Sequence, residues 1–528
     1  MPVTGKNFVG FTRSAKGNNR LQATDPSTGK TLPETFFAAS DEEIEQTMLL
    51  AQKAYAEYRR LDGSTKSRFL NAIADEILAL GDELVERAVL ETALPPIRIQ
   101  SERGRTVGQL RMFADLINEG SWCEATIVTA DADRQPLPRP DIRRMLMPMG
   151  PVAVFAASNF PLAFSTAGGD TASALAGGNP VIVKAHSSHM GTSELVASAI
   201  SAAGQKTGMP DGVFSMLFGE GQTVGKAMIN HSVVKSAAFT GSEAAGRKLF
   251  DIASQRPEPI PFFAEMGSLN PVLLLPQALR RRGKDIAKDY AASITLGSGQ
   301  FCTKPGLLIA MNGKELDAFI NDLSGYMTKI LPMSMLNPKI HTNFLSNRRK
   351  ALEQAGVHRI SVSTIDPDPA ANQGQPTLAA VAAGDFIANP ILQEEVFGPY
   401  TLLVCCDNRD QLSDVIQSVG GQLTATVVAE EDELVEHLSI VEMLIEKSGR
   451  MICNGIPTGV EVCAAMQHGG PYPASSDSRF TSVGTAAIKR FVRPVGFQSW
   501  PQSLLPDELR DSNPLSIWRL VDGELTRN

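Results

Sequence analysis

Beginning at Gly150, short apolar runs alternate with stretches of helical length, and this rhythm constrains the fold more than any other feature of the chain. PVAVFAAS is followed by a small-residue helical stretch over residues 161–176. NPVIVKA is followed by a helix near 193–203, VFSMLFG by one near 222–229, and SAAFTG by one from Glu243. Strands separated by segments this long pair in parallel, with the helices covering the sheet. The fold class is therefore α/β. Ligands in such sheets sit beyond the carboxyl ends of the strands. The loops after Ala157, Lys184, Gly219 and Thr240 are the places where a site is expected.

The chain has 528 residues, more than one hydrophobic core usually supports, so two or more domains are expected. DPSTGK at 25–30 reads as a turn. Ser40 followed by Asp41, Glu42 and Glu43 reads as a helix cap with acids in the first turn, and Ile44, Met48, Leu49, Ala51 and Tyr55 continue at helical spacing. Further helices follow to about Ile117. Residues 139–147 lie among Pro138, Pro140 and Pro148 and read as a linker or as a strand outside the main sheet. A second α/β region begins near Met266, with a helix over 285–296. The tail beyond Ile488, RFVRPVGFQSWPQ, alternates and could pair as a strand with a neighbour.

Composition removes several classes of function. The formal net charge is −8, which disfavours a nucleic-acid partner. The six cysteines, Cys123, Cys302, Cys405, Cys406, Cys453 and Cys463, form no CxxC pair, so reduced thiols and a cytoplasmic setting are expected. The N-terminus lacks the apolar core of a secretory signal, and no window is apolar enough to span a membrane. The histidines show no HExxH spacing, so no metal site is expected.

Three residues could carry chemistry. Cys302 lies in TLGSGQFCTKPG, a small and polar frame that suits a presented nucleophile, although a buried structural thiol is the alternative. Glu265 ends the apolar run PFFAE, where desolvation would raise its pKa and suit it to act as a base; a capping or ion-paired role is the alternative. Asn159 follows PVAVFAAS, where its amide could donate to an oxyanion or cap a helix before Pro161. GSEAAG at 241–246 and GEGQTVG at 219–225 could offer backbone N–H groups to phosphate.

Taken in order, ASNFPLAF, NPVIVKA, FTGSEAAG, AEMGSLNP, GSGQFCT and EEVFGP resemble the aldehyde dehydrogenase superfamily, over residues 25 to about 494. The resemblance implies a Rossmann-like cofactor domain (1–125 and 149–266) and an α/β catalytic domain (267–480). It also implies a small β oligomerisation extension (126–148 and 481–528) and hence a homodimer or homotetramer. It makes Cys302 the nucleophile, Asn159 with the Cys302 N–H the oxyanion donors, and Glu265 the base that activates water. Lys184 and Ser187 would face the adenine ribose. Gly241, Ser242 and Gly246 would face the pyrophosphate, Glu395 and Phe397 the nicotinamide ribose, and Phe155 and Gly221 the adenine side. The subgroup it is most similar to is the α-ketoglutaric semialdehyde (2,5-dioxovalerate) dehydrogenases, on ASNFPLAFSTAGGDTASALAGGNPVIVKAHSSH, HGGPYPAS and the long tail.

Departures from the family pattern matter. Ser187 stands where NAD-preferring members carry an acid, so NADP should be accepted as well as NAD. The substrate pocket is expected to hold Phe160, Phe164 and Ala167 on one face of a helix. Arg103, Arg105 and Arg111 are candidates to bind a substrate carboxylate, with a surface role as the alternative. Competing readings are a broad aliphatic or other semialdehyde dehydrogenase, a CoA-acylating enzyme, a cofactor-free hydrolase or acyltransferase using Cys302 and His468, and a non-catalytic assembly protein.

Overall fold

The computed structural model describes residues 2–528 and contains two seven-stranded sheets. The first runs in the order Phe262–Glu265, Ser236–Thr240, Val152–Phe155, Val181–Lys184, Phe214–Leu217, Asn7–Val9 and Thr12–Ser14. Its first five strands are parallel; the N-terminal hairpin adds an antiparallel edge. All four strand positions read from the alternation are present. They are short and apolar on both faces because helices cover both sides. Strand order reverses between Val152–Phe155 and Ser236–Thr240, which opens a crevice at their carboxyl ends.

Local signals set several elements. Helix Asp41–Tyr58 starts with a capping box, in which the Ser40 hydroxyl accepts from the Glu43 N–H and the Glu43 carboxylate accepts from the Ser40 N–H. Helix Met190–Lys206 extends the helix expected near 193–203. The stretch expected to be helical from Pro161 is a correction: the chain runs through turns, and the helix is confined to Gly169–Ala176. The physical reason lies in Glu102. Its buried Oε1 accepts from the N–H groups of both Leu162 and Ala163, an anchor that stands in for helical bonding.

The second sheet runs in the order His358–Val362, Thr377–Ala382, Tyr400–Cys406, Leu307–Met311, Val272–Leu274, Gln422–Val428 and Ser448–Cys453, parallel except at its first pair. The chain passes from one sheet to the other directly after Glu265. A five-stranded sheet joins Val492–Gln498, Ile142–Pro148, Thr126–Val128, Arg519–Val521 and Glu524–Thr526. Residues 139–147 are thus mostly strand, paired in register with the tail. Among the described residues, no helix is long and apolar enough to cross a membrane.

Candidate active site

Cys302 follows a turn that few sequences could form. After helix Pro276–Thr295, Gly297, Ser298 and Gly299 all take positive φ (56°, 56° and 65°). A Cβ on Gly299 would stand 2.3 Å from the carbonyl oxygen of Gly398, so this glycine lets the cysteine loop lie against the EEVFGP loop. Beyond the turn, the Asn270 Nδ2 donates to the carbonyls of Cys302 (2.8 Å) and Lys304 (2.9 Å), and Ser268, Gln422 and Thr424 hold Asn270 in turn. The thiol is therefore presented on a fixed backbone.

Three side chains meet at the thiol. Cys302 Sγ lies 3.5 Å from His468 Nε2, and the same nitrogen lies 3.1 Å from Glu265 Oε1. The Ser482 hydroxyl donates to Glu265 Oε2 at 2.7 Å and also lies against the His468 carbonyl. His468 is almost fully buried, its N–H donating to Thr481 Oγ1. Donor atoms of Glu265, Cys302 and His468 lie within 4.8 Å of one another, a set a metal ion could share; the sequence had offered no such spacing.

The electrostatics correct one expectation. Burial does push the Glu265 carboxyl upward, but His468 and the Ser482 hydroxyl outweigh it and hold the group below the ordinary carboxylate range. Glu265 is a stabilised carboxylate. The opposite holds for the thiol. Burial first, and the Glu265 charge second, keep Cys302 well above the usual thiol range, with Arg105 pulling the other way. At rest Cys302 is a protonated thiol beside the His468 ring and the Glu265 carboxylate.

Asn159 is buried at the crevice, and its Nδ2 donates one hydrogen to the carbonyl of Gln300, two residues before the cysteine, at 3.0 Å. The second amide hydrogen remains for a bound oxygen.

The remaining sequence candidates fall along the crevice. Lys184 ends its strand with its ammonium pushed down to about 8 by burial, against the pull of Glu220. Ser187 is exposed in the following loop. Gly221 opens the single π turn Gly221–Gly225 after the next strand. Gly241 and Ser242 are exposed at the start of helix Glu243–Ser254, where Ser242 occupies the N-cap without capping through its side chain; the first N–H groups of this helix stay open to a phosphate. Gly246 is packed against Met266 and Phe239, and Phe155 is a core residue against Phe239 and Gly225, so both support the crevice from beneath. Glu395 takes a backbone N–H from Ser268, and a Cβ on Gly267 would stand 2.7 Å from its Oε2. Burial pushes the Glu395 carboxyl up to about 7 against the pull of Lys304, whose own ammonium is pushed down to about 8. Phe397 is half-buried in the same loop. An open helix N-terminus, a cation and a carboxyl along one crevice suit a dinucleotide.

Phe160 and Phe164 meet edge to face (centroids 5.3 Å apart), and Phe301 packs on Phe160 at 5.5 Å. Together with Ala157, Ala163 and Val483 they form a small apolar cluster beside Cys302. Ala167 is not part of it. Without the expected helix it points into the main core, fully buried with Leu162 and Leu175. Of the three arginines, Arg103 donates to the carbonyl of Gly81 and Arg111 pairs with Asp75 at the surface, whereas Arg105 stands over the Phe160 and Phe164 rings.

Four positioning residues escaped the sequence reading of this site: Asn270, Ser482, Lys304 and Arg98. Asn270 at φ 50° had a local signal, the SLNP tetrapeptide; Ser482 and Arg98 had none, since only tertiary packing brings Ser482 to Glu265 and Arg98 over the Phe160 and Phe301 rings. Lys304 follows the cysteine by two residues and is buried, donating to the carbonyls of Val396 and Tyr400.

Residues 11–486 match the family model described as the aldehyde dehydrogenase family. "Alpha-ketoglutaric semialdehyde dehydrogenase 2" of Azospirillum brasilense is 48% identical over 525 residues, covering 99% of this chain and 100% of the relative. "Alpha-ketoglutaric semialdehyde dehydrogenase" of Acinetobacter baylyi is 45% identical over 525 residues, covering 99% of each. Among solved structures, 1-pyrroline-5-carboxylate dehydrogenase from Thermus with bound NAD superposes with a TM-score of 0.79 at 19% identity, over 94% of this chain and 92% of that one. The aldehyde dehydrogenase KauB from Pseudomonas aeruginosa gives 0.77 at 21% identity, over 94% and 97%.

Proposed function

Because the chain belongs to the aldehyde dehydrogenase family, whose members carry out NAD(P)-dependent aldehyde oxidation, we propose that it oxidises α-ketoglutaric semialdehyde to 2-oxoglutarate. The observation that carries the mechanism is the meeting of Cys302 Sγ, His468 Nε2 and Glu265 Oε1.

Cys302 attacks the aldehyde carbon as His468 takes the thiol proton, which a thiol raised by burial requires. The oxyanion of the thiohemiacetal is held by the free Asn159 amide hydrogen and the Cys302 N–H, donors that supply about 3–4 kcal/mol in comparable sites. Lys184, Ser187, Gly221, the Gly241–Ser242 turn, Glu395 and Phe397 would hold the dinucleotide, with Phe155 and Gly246 beneath them. When bound, its nicotinamide supplies the hydride acceptor that makes a thioester possible. Glu265, ionised and anchored by Ser482, then draws a proton from water, which hydrolyses the thioester to the acid.

Finer points follow the same reading. NADP is accepted, because Ser187 offers no charge to repel a 2′-phosphate; Glu220, near Lys184, is the acid that limits the preference. Residues 1–125 with 149–266 form the cofactor domain, 267–480 the catalytic domain, and 126–148 with 481–528 the oligomerisation extension. The six free cysteines suit a reducing cytoplasm.

A panel of acidic, aliphatic and aromatic aldehydes with NAD and NADP tests the proposal. The highest kcat/KM should fall on α-ketoglutaric semialdehyde, with NADP within about tenfold of NAD; a preference for aliphatic aldehydes would overturn the substrate. A second reading, cofactor-free thioester or ester hydrolysis, draws on the Cys302–His468 contact and would show turnover without nucleotide.

A further inference from the structure

One guanidinium in the substrate cluster has no hydrogen-bonding partner among the described residues. Arg105 makes no hydrogen bond and no ion pair among the described residues, and its Nε and Nη2 are both buried and unsatisfied. It rests over the rings of Phe160 (5.6 Å) and Phe164 (5.1 Å), the same aromatics that line the approach to Cys302. Its charge is felt at the thiol. The residue is half-buried, but two of its N–H groups are held out of water without acceptors, which is costly to keep, so this edge of the group marks a place where a ligand supplies them.

The surrounding charges explain why Arg105 is left open. Arg98 also lies over this cluster, 4.4 Å from the Phe160 ring and 4.7 Å from that of Phe301. Glu102 is the acid between the two arginines on this helix. Its Oε1 is taken by the Leu162 and Ala163 N–H groups, and its Oε2 faces Arg98 at 3.4 Å. Two cations thus share one anion: Glu102 attracts both Arg98 and Arg105, but its hydrogen bonds go to the 162–163 turn and none goes to Arg105. Arg450, the other cation close enough to influence the thiol, is occupied by the carbonyls of Pro457 and Gly459.

Resting on the aldehyde oxidation proposed above, we infer that Arg105 is the seat of the substrate's distal carboxylate and sets the preference for acidic semialdehydes. Nε–H and the Nη2–H on the same side form the side-on edge of the guanidinium, spaced for two parallel bonds to one carboxylate. The Phe160–Phe164–Phe301 cluster would take the methylene groups between that carboxylate and the aldehyde at Cys302. The pocket therefore selects an aldehyde with a chain of a few carbons ending in an anion.

The test uses three five-carbon aldehydes: α-ketoglutaric semialdehyde, glutaric semialdehyde and pentanal, with wild type, R105M, R105K and the surface control R111M. For R105M, kcat/KM should fall about 100-fold on both acidic aldehydes and under about fivefold on pentanal. R105K should recover part of the loss, because an ammonium keeps the charge but not the fork. Glutarate, as a competitive inhibitor, should lose affinity in R105M by a similar factor, a readout independent of turnover. R111M should leave all three substrates unchanged. Equal losses on all three aldehydes, or none on the acidic pair, would overturn the assignment, and R105K decides it if R105M does not fold. A wild type that prefers glutaric over α-ketoglutaric semialdehyde, with the R105M loss still confined to the acidic pair, would remove the named substrate and leave Arg105 in place. A wild type that prefers pentanal would remove both.

Discussion

A thiol buried beside a carboxylate resists ionisation, and Cys302 is in that position. Its reactivity must come from proton removal during attack, so kcat/KM should rise toward alkaline pH as the thiol ionises unaided. Replacing Glu265 by Gln removes the charge that raises the thiol and should move that rise to lower pH, while leaving the thioester undrained; a burst of reduced nucleotide followed by slow turnover is the expected trace. His468→Asn should cost about 10²–10⁴-fold near neutral pH and progressively less at high pH, where no base is needed. A loss independent of pH would remove the proton role. Cys302→Ala should lower dehydrogenase activity by more than about 10⁴-fold; retained activity would refute the mechanism. Because Glu265, Cys302 and His468 offer three zinc-type donors within 4.8 Å, added Zn²⁺ should inhibit and EDTA should reverse it, with alkylated Cys302 no longer binding the ion. The local frames of Cys302, Glu265 and Asn159 each left a structural alternative open, and it was their order along the chain, matching the family's, that marked them as candidates. The direction of the Glu265 shift was not legible there, because it depends on Ser482 and His468, more than 200 positions away in sequence.

At the scale of elements, the βαβ rhythm was readable because parallel strands buried on both faces are apolar throughout and close each helix with a turn. The stretch 161–168 misled the reading because small apolar residues favour a helix locally, whereas Glu102 binds the Leu162 and Ala163 N–H groups and holds the turns instead. The Gly297–Gly299 turn was visible as a glycine cluster, but its purpose was not. Contact with Gly398 fixes the distance between the cysteine and the Glu395 loop. Gly299→Ala combines a positive φ with a Cβ driven against that carbonyl. It should lower stability by about 1–3 kcal/mol, read as a drop in Tm, and weaken nucleotide binding through Glu395. Unchanged Tm and unchanged nucleotide affinity would show that the turn tolerates displacement.

Across the whole molecule, the segment 126–148 and the tail build one sheet whose outer strands, Val492–Gln498 and Glu524–Thr526, keep an unpaired side. The tail also exposes Trp500, Leu504, Trp518, Leu520 and Leu525, large apolar side chains that a partner could cover. The expected outcome in light scattering is a dimer or tetramer, shifted toward monomer by a Trp518→Asp and Leu525→Asp double variant; a wild-type monomer would remove the extension's proposed role.

The sequence by itself determined the α/β class, the carboxyl-end crevice and the family, and through the family's motif order it picked out Cys302, Glu265 and Asn159 as candidates, because periodicity and short motifs are local properties that survive without coordinates. Only the tertiary structure decided that His468 and Ser482 reach Glu265, that Ala167 turns into the core, and that Arg105, of three similar arginines on one helix, stands over the Phe160 and Phe164 rings. Those outcomes depend on which face of an element meets which neighbour. That is settled by packing and by the satisfaction of buried polar groups between distant segments, and no stretch of sequence contains it.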